Sequence, residues 1–165
     1  MTSSTHISVL IPLLVGLITT LGTIIIQALM LGFVMMELRR DLLRHTIGIR
    51  YWRDVMFVTG ATLLAIASHL VEIGLWAISL RLCGAFSDWS LAFYYAAVNF
   101  TTLGDSGIAV AARWKLLAAL AAGDGMLMFG VTTAMIFAVI QRLVRMRLGE
   151  LPNLIEEADR LKRRS

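Results

Sequence analysis

Apolar positions in this chain do not alternate with polar ones; they run together in three long blocks. Ile7 to Met36 is a 30-residue stretch without a formal charge, and Val55 to Leu80 and Leu116 to Ile140 are the second and third. Each exceeds the roughly 20 residues that a helix needs to cross the hydrocarbon core of a bilayer, so the pattern predicts three transmembrane helices. Fully helical, the first would be about 45 Å long, enough to cross with tilt or to extend past one interface. It does not read as a cleaved leader: MTSSTHIS carries no Lys or Arg, the apolar run is too long, and no small-residue cleavage pattern interrupts it. Gly16, Gly22 and Gly32 suit close contact with another helix.

A shorter amphipathic stretch, Trp89 to Ile108 (WSLAFYYAAVNFTTLGDSGI), lies between the second and third blocks. A helix of about 12 residues there would reach only ~18 Å. Between two spanning helices it is expected to dip into the membrane and return, which backbone does only where it is buried in protein or lines water. Arg81 to Asp88 reads as an external turn, with Ser87 or Asp88 placed to cap the short helix. That helix is expected to end near Thr101, where the negative end of its dipole and unpaired carbonyls favour a cation. Thr101-Thr102-Leu103-Gly104 then offers hydroxyl and carbonyl oxygens able to replace a hydration shell. Ala109 to Lys115 leads into the third span.

Composition and charge sharpen this picture. With 58% hydrophobic and only 16% charged residues and a mean hydropathy of +0.79, the chain is far from the ~25% charge of an average soluble domain. The net charge of +4 is not a nucleic-acid signature, because it is laid out as membrane topology. Five of the fifteen Lys and Arg residues fall between the first two blocks and seven after the third. The positive-inside rule therefore expects the N-terminus outside and the C-terminus in the cytoplasm, in the inner (plasma) membrane. Arg39 to Arg53 reads as a basic cytoplasmic loop or interfacial helix. Gly149 and Pro152 are expected to stop the last helix, with Asn153 capping a short amphipathic tail. The organisation is thus 1–54, an extra helix and basic loop; 55–148, a pore-like unit; and 149–165, a tail. Cys83, the single cysteine, excludes an internal disulfide and reads as a packing residue.

Three segments, SHLVEIGLWA, FYYAAVNFTTLG and RWKLLAALAAGDGMLMFG, set in the order span, turn, pore-helix pattern, span, resemble the pore domain of the potassium-channel superfamily. The likeness is to small bacterial members with one pore loop per chain and covers roughly Ser68 to Met146. It implies an all-α membrane protein in which three transmembrane helices, with a re-entrant pore helix and filter between the second and third, assemble as a homotetramer around one pore. The Ile7 to Met36 span has no counterpart in the minimal two-span pore. The filter departs from the potassium-selective Thr-Val-Gly-Tyr-Gly-Asp pattern, since Asp105 replaces the aromatic residue and Ser106 the second glycine. It is similar to the Thr-Val-Gly-Asp-Gly filters of non-selective prokaryotic channels. The resemblance implies ion contacts from Thr101, Thr102, Leu103, Gly104, Asp105 and Ser106, with K+ or Na+ permeant and Ca2+ accommodated near Asp105. It also makes Gly125 a candidate gating hinge.

Within the spans, His69 and Glu72 share a helical face with Trp76 one turn on, and Asp124 lies in the third block. Ionisable groups at that depth are costly and mark candidate functional sites. Three readings stand: a polar brace between helices, a proton sensor built on His69, or a metal site. Met126, Met128 and Met135 read as core filler, and Thr132 and Thr133 as candidates for a cavity face. The sequence holds no nucleophile–base pattern, phosphate loop or cofactor motif, so an enzyme is not expected. The expected activity is passive, weakly selective monovalent-cation conduction. The alternatives are a potassium-selective channel, a non-conducting regulatory subunit, and a transporter using His69, Glu72 and Asp124.

Overall fold

The computed structural model describes residues 3–43, 50–104 and 107–162, and side chains at 9–40, 52–104 and 107–145. Those residues are all-helical and contain no strand. The elements are α1 (Ser3–Leu43), α2 (Arg50–Leu82), α3 (Trp89–Phe100), one 3-10 turn (Ala112–Trp114) and α4 (Lys115–Lys162). Three segments are long and apolar enough to cross a membrane: Val9–Arg40, Trp52–Leu82 and Ala112–Arg145. The chain is therefore read as membrane-embedded.

The helices run further than the apolar blocks. Both α1 and α2 carry helix into the basic stretch between them, to Leu43 and from Arg50; Arg44 lies outside the described residues. The expected stop at Gly149 and Pro152 does not occur, because α4 is continuous to Lys162 and Asn153 caps no separate helix. Proline removes one intrahelical hydrogen bond and crowds the preceding turn, yet strong helix formers follow it in Leu154, Glu156, Glu157 and Ala158. Side chains of this tail lie outside the described residues.

Two buried clusters hold the helices together. One joins α2, α3, the 3-10 turn and the start of α4 through Trp76, Leu80, Tyr95, Phe100, Trp114 and Leu117. The other joins α1, α2 and α4 through Met30, Val34, Ala65, Met135 and Val139. Met128 and Met135 are core residues as expected, whereas Met126 is 65% exposed and fills nothing within the chain. The first helix, α1, packs against both α2 and α4. A methyl at Gly16 would collide with Leu120 of α4, and one at Gly22 would sit 2.6 Å from Leu75 of α2. Gly32 has open space instead. Leu10, Leu17, Ile18 and Leu29 on the other side of α1 stay exposed, as a lipid-facing surface requires.

The turn between α2 and α3 includes Cys83, whose thiol is a free, half-buried group. Burial pushes its pKa above the usual thiol value, so little thiolate exists near neutral pH. Its alkylation by iodoacetamide at pH 7 is expected to be slower than that of free cysteine and to rise as the pH passes 9. Alkylation as fast as the free amino acid would remove the packing assignment.

Candidate functional site

Asp88 starts α3 as its N-cap: its Oδ1 accepts from the Leu91 backbone N–H at 2.8 Å. Twelve residues later the helix closes with a Schellman-type turn. The Leu103 N–H donates to the Val98 carbonyl at 3.0 Å and the Thr102 N–H to the Asn99 carbonyl at 2.8 Å. Thr102 takes the left-handed position at φ +62, where glycine is usual, and Gly104 follows at φ +82. A β-branched residue there costs roughly 1–2 kcal/mol, so the turn is held by its surroundings.

The hydrogen bonds of this turn fix where its oxygens face. The N–H groups of Thr101, Thr102, Leu103 and Gly104 all donate back into α3, to the carbonyls of Ala97, Asn99, Val98 and Val98. In a planar trans peptide the carbonyl of the preceding residue points opposite to the N–H, and the described residues contain no cis bond. The carbonyls of Phe100, Thr101, Thr102 and Leu103 therefore point away from α3. The expectation of unpaired carbonyls at the helix end is corrected: those of Ala97, Val98 and Asn99 are capped by backbone, and the next peptides present the oxygens. Thr101, Thr102, Leu103 and Gly104 are exposed, Leu103 at 74%. Thr101 Oγ1 donates to the Ala97 carbonyl at 2.8 Å, so its lone pairs remain for another donor or a cation. Asp105 and Ser106 lie outside the described residues.

Behind this loop α3 is wedged into the bundle. Phe100 is fully buried, 5.8 Å from the ring of Phe129 and 6.2 Å from that of His69. Its carbonyl abuts Gly125 so closely that a β-carbon there would overlap it. Gly125 is thus the place where α4 lets the end of α3 approach its backbone.

The ionisable residues predicted as one cluster form two small networks one above the other. In the first, Asp124 Oδ2 accepts from Trp76 Nε1 and from Thr23 Oγ1, both at 2.8 Å, which ties α4 to α2 and α1. In the second, His69 Nδ1 lies 2.8 Å from Glu72 Oε2 and its Nε2 lies 3.1 Å from Thr132 Oγ1. Gln27 Nε2 donates to that same hydroxyl at 2.7 Å. His69, Glu72 and Asp124 are all buried, Glu72 completely. Gln27 Oε1, Glu72 Oε1 and Asp124 Oδ1 are buried acceptors without a donor among the described residues. Among the described residues no three His, Cys, Asp or Glu side chains are grouped to hold a metal ion. Thr132 is 8% exposed and belongs to this network, not to a cavity face, whereas Thr133 is exposed and donates to the Phe129 carbonyl.

Sequence reasoning missed Thr23 and Gln27. Their signal was available: two hydrogen-bonding residues one turn apart in a block without charge, a spacing that puts both on one helical face. Compared with protein-family models, curated proteins and solved structures, the chain matches none. The resemblance to channel pore domains rests on its own residues.

Proposed function

We propose that this chain is one subunit of a homotetrameric channel passing monovalent cations, with weak selectivity between potassium and sodium. The observation that carries the reading is the outward-facing oxygen set after α3. Carbonyls of Thr101, Thr102 and Leu103 point away from the helix in an exposed loop, at the negative end of its dipole. Oxygens so arranged substitute for water around a cation when several chains bring them together. One loop per chain requires several chains, and fourfold closure is what the filter resemblance implies. At 12 residues, α3 is too short to span a bilayer. It enters and returns as a re-entrant pore helix, with its far end buried against α2 and α4. In this reading the distribution of Lys and Arg favours the N-terminus outside and the C-terminus in the cytoplasm, and the filter resemblance implies that a tetramer has four Asp105 carboxylates for its ions.

The reversal potential in a planar bilayer with potassium on one side and sodium on the other tests this directly. Wild type is expected to reverse near zero, and Asp105→Asn to change block by divalent cations. A potential close to the potassium equilibrium value would overturn weak selectivity while leaving the pore in place. Absence of current from folded, reconstituted tetramer would overturn conduction itself.

A further inference from the structure

A groove between α1 and α4 lies at the end of the bundle away from α3. Its volume is about 630 Å³, and Met35, Met36, Leu38, Arg39, Ala138 and Arg142 line it. That size falls within the range of small-molecule sites. Arg39 lies one residue from the end of the first apolar span and Arg142 three from the end of the third. Both therefore sit at headgroup depth, while Met35, Met36 and Ala138 form an apolar wall one turn deeper. The nearby Glu37 carboxylate is held by Arg40 at 2.7 Å, and neither Arg39 nor Arg142 has an acidic partner among the described residues. Two exposed guanidinium groups thus share one mouth, with no acidic side chain paired to them among the described residues.

We propose that this groove is a binding site for one anionic phospholipid. Its phosphate is gripped by Arg39 and Arg142 and its acyl chains lie along Met35, Met36 and Ala138. The chemistry follows from the residue types. Guanidinium forks pair with phosphate oxygens through two parallel hydrogen bonds. Basic pockets between transmembrane helices are suited to anionic headgroups, and a zwitterionic lipid gains less there because its own cation opposes the arginines. A free phosphate would leave the methionine wall bare, so the groove fits the lipid better than the ion. The site joins α1 to α4 near the charged ends of their apolar spans, below the polar networks that join them deeper in the spans.

Native mass spectrometry of the purified protein, given equal amounts of phosphatidylglycerol and phosphatidylcholine with matched chains, tests the assignment. Wild type is expected to retain phosphatidylglycerol preferentially. Arg39→Gln and Arg142→Gln are each expected to reduce that retention about fivefold, and the double variant to bind the two lipids equally. Arg113→Gln, outside the groove beside Trp114, is the control and keeps the wild-type preference. Helicity by circular dichroism confirms that each variant is folded. Equal retention of the two lipids by wild type, or undiminished preference in the folded double variant, would overturn the proposal. So would displacement of the lipid by millimolar inorganic phosphate, which would make this an anion site. Cross-linking between copies through Arg39→Cys, with no lipid retained by wild type, would assign the groove to a subunit contact.

Discussion

Gly125→Ala is expected to destabilise the protein by roughly 3 kcal/mol, at the upper end of the effect of overpacking a core. Most small-to-large changes are absorbed by a neighbouring side chain that changes rotamer. Here the neighbour is the Phe100 backbone carbonyl, and Phe100 is itself fully buried between α2 and α4. The new methyl can be accommodated only if the end of α3 backs away, which would drag Thr101 to Gly104 with it. Gly123→Ala and Gly130→Ala are the comparison, since a β-carbon at either meets nothing within 4 Å among the described residues. Both are expected to change stability by less than about 1 kcal/mol, with helix propensity in their favour. Denaturant unfolding in detergent, followed by tryptophan fluorescence, measures all three. A hinge role alone predicts something else: Gly125→Ala would then stiffen α4 and leave stability unchanged or raised. Equal stability of the three variants would remove the close-approach assignment and restore the hinge.

The periodicity of the chain exposed its architecture because membrane spans are written in long blocks that few other structures produce. Three spans, the short helix from Trp89, a cap at Ser87 or Asp88 and its end near Thr101 were legible, since each depends on local residues; the fold selects Asp88. The continuous α4 was not. Gly149 and Pro152 are strong local breakers, yet the propensity of the residues after them favours continued helix. The turn after α3 was legible as chemistry but not as geometry. Thr-Thr-Leu-Gly announced oxygens, while the left-handed Thr102 and the backward-pointing N–H groups depend on how the helix closes. Least legible was the pairing of the buried polar residues. His69 and Glu72 could be placed together by their spacing of three, but Asp124 is separated from Thr23 by about a hundred positions and meets it only through the fold.

That long-range pairing gives α1 a structural role. Thr23 and Gln27, one turn apart on α1, reach Asp124 and Thr132 of α4, while Thr19 Oγ1 lies 2.7 Å from Ser79 Oγ of α2. Apolar side chains alone give little preference for protein over lipid tails, so hydrogen bonds and close packing decide which helix faces meet. Three such contacts along one face, with Gly16 and Gly22 allowing close approach, fix the rotation and depth of α1 against the other helices.

Asp124→Ala is expected to cost about 3 kcal/mol, and the reason separates a brace from a chemical site. Asp124 Oδ2 is the acceptor for Trp76 Nε1, and Trp76 is completely buried. Removing the carboxylate strands that indole N–H, a penalty of about 1–3 kcal/mol, and leaves a cavity as well. Thr23 suffers less, because its one hydroxyl proton has an alternative acceptor in the Thr20 carbonyl, 2.7 Å away. Asp124→Asn keeps an oxygen for both donors and is expected to lose no more than about 1 kcal/mol. Trp76→Phe removes the donor instead, so the double variant Trp76→Phe with Asp124→Ala should cost less than the sum of the two single changes. A coupling of about 1 kcal/mol or more in that cycle is the mark of a direct buried pair. Additive losses would mean that Asp124 stabilises by another route. Under the proposed channel function, conduction then distinguishes structure from chemistry. If Asp124 only braces, the folded Asn variant carries wild-type current with the same reversal potential, whereas a folded Asn variant without current would make the carboxylate part of the ion or proton path.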